Sequence, residues 1–324
     1  MALRLGVCAN LFSHLDDHKP QTTNNSLTCP PEPTCMQIIE NNILRVSIHE
    51  KGAELTSIYQ KPLSLEYLWE GDPAFWAKQS PVLFPIVGGL KNNMYFYHNT
   101  AYELPRHGFA REKVFSVTNR TSSQITFSLL SDEESRQVYP FEFEFKISYS
   151  LEENILSVKY QVQNVGREEM YFSVGGHPAF KVPLLENTKY EDYYLEFNKP
   201  ETSPRWAVSH DGLIEEEPIP VFHNDSVIRL RKELFMHDAL VFRDLISNKV
   251  SLKCDKHDRA IDFDFDGFPY LGIWAAKNAD FVCIEPWRGI ADGVNTDQQL
   301  KNKEGINKLV SKEESTVEWR IAII

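Results

Sequence analysis

The chain has 324 residues, 42 % of them hydrophobic and 12 % aromatic, which is ample material for a large buried core. Its 46 acidic against 34 basic side chains leave a formal charge of −12, a balance that argues against a phosphate backbone or an anionic membrane surface as partner. The longest apolar run, Pro81 to Leu90, is interrupted by prolines and falls far short of the roughly 20 residues a membrane helix needs.

In chain order, residues 1–35 stand apart. Pro20, Pro30, Pro31 and Pro33 and the polar cluster Thr22 to Ser26 carry almost no periodicity, which predicts a disordered or loosely attached extension with the domain starting at Met36. Cys8, Cys29, Cys35, Cys254 and Cys283 form no C-x-x-C pair, and an odd number with three in the extension speaks against a disulfide framework. The expected compartment is therefore reducing and cytoplasmic.

From Leu44 onward, period-two alternation dominates: Leu44, Val46, Ile48; then Ile125, Phe127, Leu129; then Phe141 to Tyr149, a polar turn at Glu152-Glu153-Asn154, and Leu156 to Val162. The last two runs read as one long hairpin. Tyr193, Leu195, Phe197; Ile261, Phe263, Phe265; and Val317, Trp319, Ile321, Ile323 continue the pattern. Only Lys232 to Leu240 suits a short helix, and no Gly/Ser-rich linker divides residues 36–324. The expectation is a single large antiparallel all-β domain.

Three stretches carry ionisable groups in unusual company. Asp280-Phe-Val-Cys-Ile-Glu-Pro-Trp-Arg288 sets Glu285 on one strand face with Phe281, Cys283 and Trp287, and Pro286 predicts that the strand ends there or lies at an edge. A structural ion-pair partner is the competing role for this glutamate. Ser173-Val-Gly-Gly-His-Pro-Ala-Phe180 presents His177 in an extended conformation, because Pro178 disfavours helix before it, and Gly175 and Gly176 permit close approach of a backbone or ligand. Arg106-His-Gly-Phe-Ala-Arg111 brackets His107 with cations. Both histidines also suit ordinary turns. Two histidines and a carboxylate are possible zinc or iron ligands, but no H-x-H or H-E-x-x-H spacing is present, nor any nucleotide-binding signature. An acid/base pair that needs no metal and no cofactor fits these residues better.

Together with Lys51-Gly-Ala-Glu-Leu-Thr-Ser57, Tyr67-Leu-Trp69, Pro81-Val-Leu-Phe-Pro-Ile-Val-Gly88 and Asp266-Gly-Phe-Pro-Tyr-Leu-Gly-Ile-Trp274, these stretches resemble, in order and across residues 36–324, the aldose 1-epimerase (galactose mutarotase-like) family, in particular its LacX-like branch. The resemblance implies a two-sheet β supersandwich, a small-molecule aldose as partner, and a monomer or homodimer that interconverts sugar anomers. It implies Glu285 as base on the anomeric hydroxyl, His177 as acid on the ring oxygen, His107 as a hydrogen-bonding neighbour, and Asp238 as a grip on sugar hydroxyls. Arg106, Arg111, Lys91 and Trp287 complete the implied substrate contacts, and Phe109, Phe180 and Trp274 are further candidates to face the sugar ring. The branch usually reads Val-Gly-Arg-Leu where this chain has Val87-Gly-Gly-Leu90, so Lys91 is the candidate stand-in for the missing cation. The hexose-6-phosphate branch usually carries an arginine near Lys78-Gln79-Ser80, which disfavours a phosphorylated sugar, though Arg106 and Arg111 keep that alternative open, beside a carbohydrate-binding protein without turnover.

Overall fold

The alternating runs become strands in a computed structural model of the chain, which describes residues 35–324. Residues 1–34 of the expected N-terminal extension lie outside the described residues. The longest hairpin pairs Phe143–Glu152 with Ile155–Asn164 in unbroken register, from Phe143 opposite Asn164 to Glu152 opposite Ile155. Every second side chain of the pair is buried, so a one-residue slip would turn the whole apolar set to water.

This hairpin belongs to a nine-stranded antiparallel sheet. Its neighbours are Gln124–Leu130 and Ser116–Arg120 on one side, and Glu314–Ile323, His257–Asp264, Lys249–Cys254, Tyr193–Glu201 and Asp225–Arg229 on the other. A second sheet runs Ile214–Ile219, Arg205–Val208, Leu240–Arg243, Tyr270–Trp274, Phe281–Arg288, Val174–Gly176, Val82–Leu83, with Ala179–Lys181 also paired to Phe281–Arg288. A four-stranded meander of Met36–Glu40, Leu44–His49, Glu54–Gln60 and Leu65–Glu66 precedes both. The two large sheets share one core, in which Phe180 meets Phe263 at 6.0 Å and Phe197 meets Phe242 at 6.3 Å between ring centroids. This is the all-β sandwich expected from the alternation.

Helix is scarce among the described residues. Glu133–Val138 forms the one α-helix, held at its start by a capping box in which the Asp132 carboxylate accepts the Ser135 N–H at 2.6 Å and the Ser135 hydroxyl accepts the Asp132 N–H at 2.8 Å. The helix expected over Lys232 to Leu240 shrinks to a single 3₁₀ turn, Lys232–Phe235. Asp238 has φ +81°, incompatible with helix, and Leu240 already begins a strand.

The Phe281–Arg288 strand neither ends at Pro286 nor lies at an edge, the two placements expected of it. It is internal, with Tyr270–Trp274 on one side and both Val174–Gly176 and Ala179–Lys181 on the other, and all of it but Arg288 is buried. Pro286 is tolerated there for a local reason. The Ile284 N–H donates to the Pro178 carbonyl at 3.3 Å, and alternation turns the Pro286 nitrogen to that same side, where the neighbouring strand is interrupted at His177-Pro178. The missing donor thus costs no ladder bond to Tyr270–Trp274.

Candidate active site

The interruption that accommodates Pro286 also presents His177. The imidazole lies opposite Glu285, with Nε2 3.2 Å from Oε2, and stacks on Trp76 at 4.9 Å between centroids. Trp274 and His107 meet it edge-on at 5.5 and 5.7 Å. These groups line a cavity of about 290 Å³ together with Arg106, Arg111, Asp238 and Trp287. Its remaining wall is mostly apolar or backbone, from Gly88, Val208, Gly212, Ile214, Val241 and Ala291 among others.

His107 arrives by an unusual backbone. His107 and Gly108 both take left-handed φ, +69° and +71°, and a Cβ on residue 108 would stand 2.3 Å from the Phe84 carbonyl oxygen, so only glycine fits. The left-handed His107 is held by two bonds to one residue: its N–H donates to the Gly88 carbonyl at 2.9 Å, and its Nδ1 accepts the Gly88 N–H at 3.1 Å. An accepting Nδ1 leaves the proton of the neutral ring on Nε2. At the mouth, Arg106 and Asp238 lie 3.4 Å apart, and the Asp238 carboxylate also accepts the Ala239 N–H at 2.8 Å. Arg111 donates from Nη2 to the Arg106 carbonyl at 2.9 Å, and its buried Nε has no hydrogen-bond partner.

Burial sets the electrostatics. It lifts the Glu285 carboxyl well above the usual carboxylate range, with Arg106 opposing the shift, Asp238 adding to it, and the Trp287 indole lowering it slightly from outside hydrogen-bond geometry. Burial likewise pushes His177 down to about 3, its own backbone opposing and Arg106 and Arg111 adding. His107 is held well below its ordinary value by burial first, then by His177 and the two arginines. The carboxyl is thus made more basic and the imidazole less so, and burial disfavours the charged form of both. Among the described residues, His177, Cys283 and Glu285 are also the one group able to converge nitrogen, sulfur and oxygen donors on a metal, all within 4.8 Å of one another.

Of the residues singled out from the sequence, His107, His177, Glu285, Arg106, Arg111, Asp238, Trp274 and Trp287 come together around the cavity. Lys91 does not: its Nζ donates to the Val294 carbonyl at 2.8 Å and its N–H to Asp292 at 3.0 Å. Residue 89 itself has little room for an arginine, since a Cβ there would stand 3.0 Å from the Gly212 carbonyl and the Ser209 to Leu213 turn would have to yield by a few tenths of an ångström. Phe180 faces the inter-sheet core and Phe109 packs against Phe84, Tyr139 and Phe143. Gly175 and Gly176 admit protein, not ligand, since Cβ atoms there would meet the Pro286 carbonyl at 2.9 Å and the Tyr160 hydroxyl at 2.8 Å. Trp76, absent from the sequence reading, sits on a loop whose sequence carries no recognisable motif.

Comparison with known proteins agrees with this architecture. The profile of the family described as aldose 1-epimerase matches residues 35–306. The plasmid and chromosomal LacX proteins of Lactococcus lactis are each 34 % identical, over 297 and 295 residues, and the alignments cover 88 % of this chain and 98 % of theirs. A galactose mutarotase related enzyme of Lactobacillus acidophilus superposes with a TM-score of 0.85 at 38 % identity, covering 90 % of this chain and 97 % of its own. A galactose mutarotase-like protein of Lactobacillus casei gives 0.84 at 28 %, covering 90 % and 100 %. The chain belongs to the aldose 1-epimerase family and has its galactose mutarotase-like fold, which makes it a carbohydrate epimerase.

Proposed function

We propose that the protein interconverts the α and β anomers of a free aldose, with Glu285 and His177 moving the two protons. The observation that carries this reading is the 3.2 Å approach of a buried imidazole to a buried carboxyl in the wall of the cavity. Ring opening removes a proton from the anomeric hydroxyl and delivers one to the ring oxygen. The Glu285 carboxylate, held beside the His177 imidazolium at 3.2 Å, takes the first proton and the imidazolium gives the second, so the open-chain aldehyde faces the neutral acid and neutral base that burial favours. Rotation about the first C–C bond and the reverse transfers close the ring on the other face, regenerating the starting pair. Each positioned group typically contributes ~10²–10⁴ in rate.

The other cavity groups suit a neutral monosaccharide. About 290 Å³ is at the small end of ligand cavities. Asp238 and Arg106 offer an acceptor and donors for sugar hydroxyls, His107 offers its Nε2–H near the ring oxygen, and the indoles of Trp76, Trp274 and Trp287 provide apolar faces for the C–H side of a pyranose. Arg106 is already matched by Asp238 and Lys78 lies beside Glu54 and Glu112, which leaves Arg111 as the cavity cation a phosphorylated sugar would have to use. Polarimetry on freshly dissolved single anomers of glucose, galactose and their 6-phosphates tests the reading: the neutral aldoses should reach equilibrium rotation at a protein-dependent rate. Binding without acceleration would leave a carbohydrate-binding protein, and preference for the phosphates would reassign the substrate.

A further inference from the structure

Cys283 takes no part in these proton transfers, yet it lies two residues before Glu285 on the same face of the Phe281–Arg288 strand and is fully buried. Its sulfur, His177 Nε2 or Nδ1, and a Glu285 oxygen all fall within 4.8 Å of one another. Glu285 Oε2 and His177 Nδ1 are buried without hydrogen-bond partners. Tetrahedral zinc holds nitrogen and oxygen at roughly 2.0–2.2 Å and thiolate at roughly 2.3 Å, which puts neighbouring donors some 3.3–3.6 Å apart. The His177–Glu285 spacing of 3.2 Å nearly matches, and the sulfur, within 4.8 Å, needs to close by roughly 1.2–1.5 Å at most.

We propose that His177, Cys283 and Glu285 form a binding site for a soft divalent cation, Zn²⁺ above all, and that occupancy switches the epimerase off. One thiolate and one carboxylate balance the ion's two charges, so the buried site ends neutral. The thiol proton leaves to solvent as the metal–sulfur bond forms. A thiolate with an imidazole selects zinc or cadmium over magnesium or calcium, which prefer all-oxygen shells. His177 and Glu285 both line the cavity, so a fourth ligand would be drawn from that side. Inhibition follows because the ion occupies the atoms that would carry the protons; this consequence rests on the acid/base reading, whereas the binding does not.

The test uses the full-length chain stripped of metal, titrated with ZnCl₂ against a chromophoric chelator and with CdCl₂ by its ultraviolet thiolate-to-metal band, alongside polarimetry. The wild type should bind one ion that Cys283→Ala and Cys283→Ser both lack, and its mutarotation should fall with occupancy and return on chelation. The Cys283 variants should keep their basal rate and require about 100-fold more zinc, or more, for the same inhibition. Equal zinc affinity and equal inhibition in wild type and both variants would overturn the site. Zinc bound through Cys283 with undiminished turnover would overturn the switch, and zinc bound through Cys283 in a protein that turns over no sugar would instead refute the acid/base reading and leave the site standing.

Discussion

Replacing Glu285 by Gln keeps the size of the side chain and one of its acceptors while removing its exchangeable proton. The carboxyl is 1 % exposed, burial already disfavours its charge, and one of its oxygens lacks a hydrogen-bond partner, so the wild-type residue adds little to stability at neutral pH. The folded state of the variant should therefore lie within about 1 kcal/mol of wild type or above it. The mutarotation rate should nonetheless drop by ~10²–10⁴, the usual contribution of one positioned proton-transfer group. His177→Asn should cost a similar factor, and the double variant little more than the worse single one, because either loss alone interrupts the same transfer. Polarimetry on a single anomer gives the rates and denaturant unfolding gives the stabilities. Near wild-type turnover by Glu285→Gln together with a loss of several kcal/mol would show that the carboxyl is a structural partner and refute the reasoning.

Three further outcomes are expected. His107 and His177 have folded values below the ordinary 6.5, so the stability they allow is complete above pH 6.5 and drains away as pH falls toward their folded values, about 3 for His177. Glu285, raised on folding, acts in the opposite sense, its contribution being complete below pH 4.5 and lost as pH rises through its folded value. Between pH 6.5 and 4.5, unfolding free energy should thus fall more steeply in Glu285→Gln and more gently in His177→Asn, by about 1.4 kcal/mol per pH unit for each proton at stake; equal slopes would contradict the buried-group account. Gly108→Ala, which places a Cβ 2.3 Å from the Phe84 carbonyl in left-handed backbone, should cost about 2 kcal/mol or more in chemical denaturation and displace His107, and a neutral effect would mean the turn is pliable. Truncation to Met36 removes, among the described residues, the two bonds between the Cys35 backbone and Glu50, and should leave melting temperature and mutarotation nearly unchanged; a clear drop in either would show that the extension packs on the domain.

The nine-stranded sheet was legible in the sequence because each strand buries one face, so Phe143 to Tyr149 or Val317 to Ile323 alternate visibly. The second sheet was less so. Val82–Leu83, Val174–Gly176 and Ala179–Lys181 are two or three residues long, too short to show a period. Phe281–Arg288 is buried on both faces, which hid its central position. At the site, motifs found His107, His177 and Glu285, but Arg106 and Asp238 are separated by 132 positions and only the fold reveals their pairing. Lys91 has the right charge and the wrong reach, because the Val294 carbonyl captures its ammonium. Trp76 touches His177 from a loop whose composition resembles any other turn.

The cavity divides its labour between two kinds of backbone. Glu285 and the strand break carrying His177 are fixed by ladder bonds in the middle of a sheet, whereas the opposite wall near Gly212 is a turn whose His210 and Asp211 project freely into solvent. Changes in the length or sequence of that turn alter the outline presented to a sugar without touching a ladder bond. Substrate range can therefore drift or be re-engineered through residues 209–213 while the reaction itself stays anchored, and a side chain at residue 89 would need that turn to yield slightly.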